Sequence, residues 1–478
     1  MRVLTDLEPK NVFSFFEDIC SIPHPSYKEE KISNYLVEFA KARGLEHYQD
    51  ELHNVIIIKE ASEGYEDVEP IILQGHMDMV CEKTPDCDKD MDEEGLDLLI
   101  DGDFISAKGT TLGGDDGIAV AYALAILDDD SLSHPRLEFV CTVCEEVGME
   151  GATGIDVSML KGKKLLNMDS EEEGVMLASC AGGCRADVKL PVERETVSGT
   201  KLTVSLSGLT GGHSGSEIDK GRGNANTLMS RLLRDASAPV AIASIEGGRK
   251  DNAIPRECTA QIIVAPDEAA VKASIEQAAA EIAEEFKASD PDLKLTVSEE
   301  TDCSESAISA KDSARVIALI EALPNGIIRM SREIDKLVET SLNLGVLKSD
   351  DAAVTLRYAV RSSVGVAKKS LKNQLVCIAG AFAAEVTFEG DYPAWEYKKD
   401  SKLREDMVRI FEEMYGKKPT VEAIHAGVEC GLLSGKIEGL DCISMGPDMY
   451  DIHTTEERLS ISSAKRSYEY ILRVIACK

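Results

Sequence analysis

The sequence predicts an α/β fold, a mixed, mostly parallel sheet covered by helices and interrupted by an inserted α+β domain. Three observations carry that expectation. Short apolar runs alternate with helical segments up to about residue 185, as in a helix-covered parallel sheet. Segments that alternate polar and apolar residues, such as 201–207 and 353–360, then take over, the pattern of a half-exposed antiparallel sheet. After Asp391-Tyr-Pro-Ala-Trp395 the first pattern returns. The expected division is residues 1–186 with 392–478 as one domain and 187–391 as the insertion, within a 478-residue chain long enough for two or three cores.

Each element has its own warrant. Residues 26–44 read as an amphipathic helix: Ser26 and Glu29 stand in capping-box spacing, Ile32, Leu36, Phe39 and Ala40 share one face, and Gly44 is the stop. Strands follow at 55–58 and 71–74, and the acidic stretch 86–103 reads as a solvated loop or hairpin. Residues 117–127 are apolar all round, which predicts a buried helix. Further buried strands are expected at 137–144, 165–168 and 442–445. Alanine-rich amphipathic helices at 268–286 and 313–323 belong to the insertion, while a helix at 402–414, a strand at 420–424 and a helix from about Ser462 close the first domain.

Composition excludes several functions. With 52 Lys and Arg against 86 Asp and Glu, the net charge of −34 repels phosphate backbones and anionic lipid surfaces, so neither nucleic acid nor membrane is an expected partner. Thirteen cysteines lack framework spacing and the first residues form no apolar export segment, so a reduced, cytoplasmic protein is expected. Cys141 and Cys144 would point to opposite faces of a strand and cannot easily share a metal.

Four apolar runs end at metal-ligand chemistry: Ile71 to Gln74 at His76, Leu137 to Cys144 at Glu145-Glu146, Leu165 to Met168 at Asp169, and Cys442 to Met445 at the loop reaching His453. Ligands of open α/β sheets collect outside the carboxyl ends of such strands. His76 and His453 offer imidazole, and Asp115, Glu146 and Asp169 offer carboxylates, a set suited to Zn²⁺, Mn²⁺ or Co²⁺. These five exceed one tetrahedral catalytic site; with one carboxylate bridging, they give each of two metals three ligands. Asp78, two residues after His76, fits the role of orienting that imidazole. Glu145 and Glu146 would point apart in an extended chain, so one can bind metal while the other acts as general base. Singly, each motif is commonly bland: a strand-end histidine, an acidic loop, a glycine turn. Their joint placement at strand ends carries the reading, and His24, His47, His53 and His134, which lack that setting, are left structural.

These residues resemble the M20 family of dinuclear metallopeptidases, in its aminoacyl-histidine (Xaa-His) dipeptidase branch. The likeness runs through Gly75-His-Met-Asp-Met-Val80, Thr111-Leu-Gly-Gly-Asp-Asp-Gly117, Cys144-Glu-Glu-Val-Gly-Met-Glu-Gly151, Asn167-Met-Asp-Ser170, His425-Ala-Gly-Val-Glu-Cys-Gly431 and Met445-Gly-Pro-Asp-Met-Tyr-Asp-Ile-His-Thr-Thr-Glu456. The resemblance implies a zinc-aminopeptidase-like catalytic domain with a lid or dimerisation insert. It makes Asp115 the bridging ligand, places His76 with Asp169 on one metal and Glu146 with His453 on the other, and assigns Glu145 as general base and Asp78 as the orienting carboxylate. It also implies a cis peptide between Asp115 and Asp116; Gly114 and Asp116 depart from the Ala and Asn common in relatives.

In the insert, the resemblance makes His213 an oxyanion donor and Asn252 and Arg361 substrate contacts, with Arg361 suited to a terminal carboxylate. His425, Gly427 and Glu429 would line a specificity pocket. The implied activity is hydrolysis of unprotected, carnosine-like dipeptides by metal-activated water. An amidohydrolase of N-acyl amino acids is the alternative, and a non-catalytic metal-binding scaffold, which would be expected to lack Glu145 or a ligand, is a third. Both a homodimer paired through the lid and a monomer with an enlarged lid remain open.

Overall fold

The computed structural model describes residues 2–478. The chain forms two compact units, one made of 1–179, 397–423 and 428–478, the other of 180–396 and 424–427. Each has its own hydrophobic core.

The first unit is built on an eight-stranded sheet ordered Glu46–Gln49, Val55–Lys59, Leu137–Thr142, Ile71–His76, Lys164–Asn167, Asp441–Ser444, Val175–Cys180 and Thr420–Ile424. Its four central strands run parallel, from Leu137–Thr142 through Asp441–Ser444. The Glu46–Gln49, Val55–Lys59 and Val175–Cys180 strands pair antiparallel with their neighbours. Ile71–His76 and Leu137–Thr142 are buried at every residue, because helices cover both faces of a parallel sheet. The four parallel carboxyl ends therefore share one edge.

The helix Gly114–Asp128 is buried from Gly114 to Leu127, as the apolar run 117–127 requires for most of it. Its first turn is not regular: Asp115 and Asp116 have non-helical backbone angles and the peptide between them is cis. The acidic stretch ends in the hairpin Leu98–Asp101 and Phe104–Ala107.

The expected capping box at Ser26 and Glu29 is absent, and the helix begins at Glu30. Ser26 Oγ donates to Asp78 Oδ2 at 2.8 Å, and Glu29 Oε1 accepts the backbone N–H groups of Tyr27 and Cys144, both at 3.0 Å. Tertiary partners have claimed both side chains. Gly44 ends the helix as expected, with a left-handed φ of 67°.

The second unit is an antiparallel sheet running in order Lys294–Ile308, Arg194–Ser207, Cys258–Val264, Ala241–Gly247, Val338–Ser349, Ala353–Ser362, Gly182–Pro191 and Glu385–Tyr392, with Gly326–Met330 paired to Val338–Ser349. Alternation is plain in Arg194–Ser207, where Leu202, Val204 and Leu206 turn inward. The helices Ala225–Arg234, Glu268–Phe286, Ala310–Ala322 and Gly365–Ala381 contribute buried faces to this core.

Candidate metal centre

In the first unit the structure brings the five proposed ligands together. His76 Nε2 lies 3.1 Å from Asp115 Oδ1 and 3.5 Å from Asp169 Oδ1. His453 Nε2 lies 3.2 Å from Asp115 Oδ2 and 2.9 Å from Glu146 Oε1. Asp115 thus divides its two oxygens between two groups of donors. Among the described residues, three overlapping sets can hold a metal ion: His76 with Asp116 and Asp169, His76 with Glu145 and Glu146, and Asp115 with Glu146 and His453. No cysteine belongs to any of them, and no disulfide joins the thirteen cysteines.

The backbone delivers these groups in four ways. His76 ends its strand, and Asp169 follows the strand Lys164–Asn167. Asp115 sits in the irregular first turn of the buried helix, and His453 occupies a left-handed position, φ 60°, in the loop after Met449–Tyr450. Glu145 and Glu146 lie in a turn, not in the extended segment expected from sequence. A clamp holds that turn: Asp78 Oδ1 accepts the backbone N–H of Glu145 at 3.0 Å, and Oδ2 accepts that of Glu146 at 3.3 Å. Asp78 also orients His76, whose Nδ1 lies 3.0 Å from the Asp78 carbonyl oxygen and 3.5 Å from Oδ1.

The electrostatics of the cluster fit a cation. Burial raises the Asp169 carboxyl to about 6 despite His76, and burial with the neighbouring carboxylates lifts Glu145 well above the usual range. Asp115 is held low: contacts with both imidazoles outweigh its burial. The same contacts push His453 up to about 10, through Asp115 first and Glu146 next. Burial alone would depress His76, yet Asp115, Asp169 and Asp78 raise it well above its ordinary value. A set of nitrogen and oxygen donors carrying this excess of negative charge matches divalent metal chemistry.

Two residues that local spacing did not mark hold the centre in place. Glu457 accepts the backbone N–H groups of Leu112, Gly113 and Gly114 at 2.7, 3.1 and 2.8 Å, fastening the loop that carries Asp115. Asp116 Oδ2 accepts the His76 N–H at 3.2 Å. A cavity of about 900 Å³ lies along the acidic hairpin and the 451–458 segment, and none of the five proposed ligands lines it.

Glu429 corrects an expectation. Instead of lining a specificity pocket, it has no exposed surface, and its carboxylate accepts hydrogen bonds from Gln74 and Thr142 inside the first unit. Burial, with Asp169 and Asp78 nearby, raises this carboxyl to about 8.

The remaining candidates lie in the second unit. His213 belongs to a two-residue strand paired with Ala253–Ile254. Its Nδ1 accepts the N–H groups of Gly215 and Ser216 at 3.3 and 3.2 Å, which leaves the proton on Nε2. Burial and Arg361 lower its pKa, so the ring is a neutral donor. Asn252, Arg361 and Tyr392 line a cavity of about 210 Å³, where Arg361 Nη1 donates to the Tyr392 hydroxyl at 3.5 Å. His425 is buried, with Nε2 2.7 Å from Ser341 Oγ, and burial with Arg361 and His213 brings it down to about 3. At Gly427 a Cβ would stand 2.7 Å from the Tyr392 ring, so any larger residue would displace that ring. Tyr392 and Ser341 carried no local signal, because their partners are remote in the chain.

A helix-covered sheet with a carboxylate and imidazole cluster at its parallel strand ends defines the class of a metal-dependent hydrolase, and residues 72–476 match peptidase family M20/M25/M40, to which the chain belongs. The cytosol non-specific dipeptidase of Escherichia coli is 37% identical over 468 residues, spanning 97% of this chain and 96% of that protein. The crystal structure of the aminoacylhistidine dipeptidase from Vibrio alginolyticus superposes with a TM-score of 0.92 at 34% identity, covering 99% of this chain and 98% of the other. Aminopeptidase PepT from Bacillus cereus shares the fold at 16% identity, with a TM-score of 0.57 over 98% of both chains. No helix among the described residues is long and apolar enough to cross a membrane.

Proposed function

We propose that this protein is a cytoplasmic dinuclear-metal dipeptidase acting on unprotected dipeptides of the Xaa-His, carnosine-like class. The observation that carries the reading is the division of Asp115 between His76 with Asp169 and His453 with Glu146. Those five residues would hold two divalent ions, zinc foremost, with manganese or cobalt equally suited to these nitrogen and oxygen donors. When bound, such a pair supplies Lewis acidity and makes water nucleophilic at neutral pH.

The chain's own groups do the rest. Glu145 takes the proton of the attacking water and hands it to the leaving amine, a task suited to a carboxylate that lies within the cluster beside Glu146. Asp78 holds the turn that aims it. From the second unit, His213 offers an Nε2–H suited to a developing oxyanion, and Arg361 a guanidinium suited to a terminal carboxylate. Asn252 shares the Arg361 cavity, while His425 and Gly427 shape the wall around Tyr392. The dipeptidase names of two relatives favour the peptide reading over the N-acyl amino acid one. Thirteen cysteines joined by no disulfide accord with a reducing compartment.

The test is a panel of Ala-His, Gly-Gly and N-acetyl amino acids, offered to metal-stripped protein reloaded with zinc, manganese or cobalt. Cleavage of the dipeptides and not of the N-acetyl compounds is expected. The reverse preference assigns the chain to amide hydrolysis, and no hydrolysis with metal fully loaded overturns the enzyme reading.

A further inference from the structure

Glu429 opens the helix Glu429–Lys436 and is fully buried. Its Oε2 accepts hydrogen bonds from Gln74 Nε2 at 2.5 Å and Thr142 Oγ1 at 2.6 Å. Gln74 Oε1 accepts in turn from Asn167 Nδ2 at 2.6 Å. One carboxylate oxygen is therefore linked to three adjacent parallel strands.

Register shows where this network lies. Gln74 is opposite Asn167, and His76 is opposite Thr142. Paired residues of neighbouring strands share a face, as do residues two apart on one strand. Gln74, Thr142 and Asn167 thus occupy the face that carries His76. Each also stands just ahead of a proposed functional residue: Gln74 before His76, Thr142 before Glu145 and Glu146, Asn167 before Asp169.

A network of this kind is a poor way to add stability. Its Glu429 Oε1 is buried without a partner, and buried ionisable groups are commonly matched or bettered by apolar residues of similar volume. What it supplies is geometry, since one oxygen accepting from Gln74 and Thr142 ties both strands to a common point, and each bond in a connected network restrains the next.

We propose that Glu429 is a positioning residue for the metal centre, fixing through Gln74, Thr142 and Asn167 the relative placement of the strand ends that bear His76, Glu145–Glu146 and Asp169, without touching substrate. The inference rests on the metal-centre reading above.

The test uses the full-length parent, Glu429→Gln, Glu429→Ala and Thr142→Val. Each is stripped of metal, checked for native circular dichroism and titrated with zinc against a chromophoric chelator, and kcat and KM for Ala-His are measured at saturating zinc. Glu429→Ala should weaken zinc binding by about 10–100-fold, the range for losing a group that orients metal ligands, and lower kcat with KM nearly unchanged. Thr142→Val should shift zinc affinity the same way by a smaller factor. Glu429→Gln keeps an oxygen that accepts both donors and should stay within about threefold of the parent, because acceptance and not charge is the role.

Unchanged zinc affinity in a folded Glu429→Ala protein overturns the proposal, as does a Glu429→Gln protein impaired as severely as the alanine variant. If Glu429→Ala does not fold, Thr142→Val decides, and parental zinc affinity there overturns it. Failure of the parent itself to bind zinc would strike at the metal-centre reading instead, a result the parent titration isolates.

Discussion

Asp78 accepts the backbone N–H of Glu145 at 3.0 Å, so the residue that orients one proposed ligand, His76, also fixes the turn bearing the proposed general base. Removing that carboxylate would release Ser26 and the N–H groups of both glutamates together. Asp78→Ala should weaken zinc binding by about 10–100-fold, measured by chelator competition on the stripped protein. Parental affinity would show that the turn holds without Asp78.

Glu145→Gln keeps the shape of the side chain and removes its ability to take a proton. General-base contributions run to about 10²–10⁴-fold, so kcat on Ala-His should fall by roughly 10³ while zinc stoichiometry by elemental analysis stays at the parental value. Near-normal turnover would remove Glu145 from the mechanism.

Glu457 is 3% exposed and satisfies three buried N–H groups of the loop that carries Asp115. Glu457→Ala leaves those donors unpaired, each at about 1–3 kcal/mol, so a loss of roughly 3 kcal/mol or more is expected in urea unfolding of the stripped protein. A loss below about 1 kcal/mol would mean that water or a shifted loop replaces the carboxylate.

Chelation should expose how far the centre supports the fold. Ligands that bind only the native state stabilise it by mass action, by about 4 kcal/mol at a thousandfold excess over Kd. Stripping the metal should therefore lower Tm as well as abolish hydrolysis, and zinc should restore both. Equal Tm values with and without metal would contradict the site.

His425 carries a pH prediction that metal loading does not enter. Its folded pKa is near 3 against an ordinary value of 6.5, so the unfolded chain binds the extra proton first as pH falls. Its contribution to stability is intact above about 6.5 and declines as pH drops from there toward 3. His425→Asn should lose stability less steeply than the parent across that window. A parental imidazole that titrates near 6.5 by NMR would contradict the buried setting.

Much of the centre was legible because its residues are tied to local patterns. His76 and Asp169 follow apolar runs that become parallel strands, and Asp115 precedes a segment whose apolar circumference foretells a buried helix. Legibility stops where partners come from afar. Ser26 and Glu29 had the spacing of a helix cap, yet Asp78 and Cys144 claim them. Glu429 shared a motif with His425 and Gly427, but the start of a helix carries it into the first unit while they lie in the second. Glu457 adjoined a quoted motif without any spacing that foretold three N–H groups from residues 112–114.

Asp115 and His453, joined at 3.2 Å, stand 338 positions apart in the chain. During synthesis the ribosome must release the entire intervening insert before these two can meet. The nascent amino-terminal segment can offer His76, Asp115, Glu146 and Asp169 much earlier, an acidic set short of its last imidazole. The five-residue set is therefore complete only once residue 453 has been made, and a chain that stopped before it would keep the four earlier residues without their second imidazole.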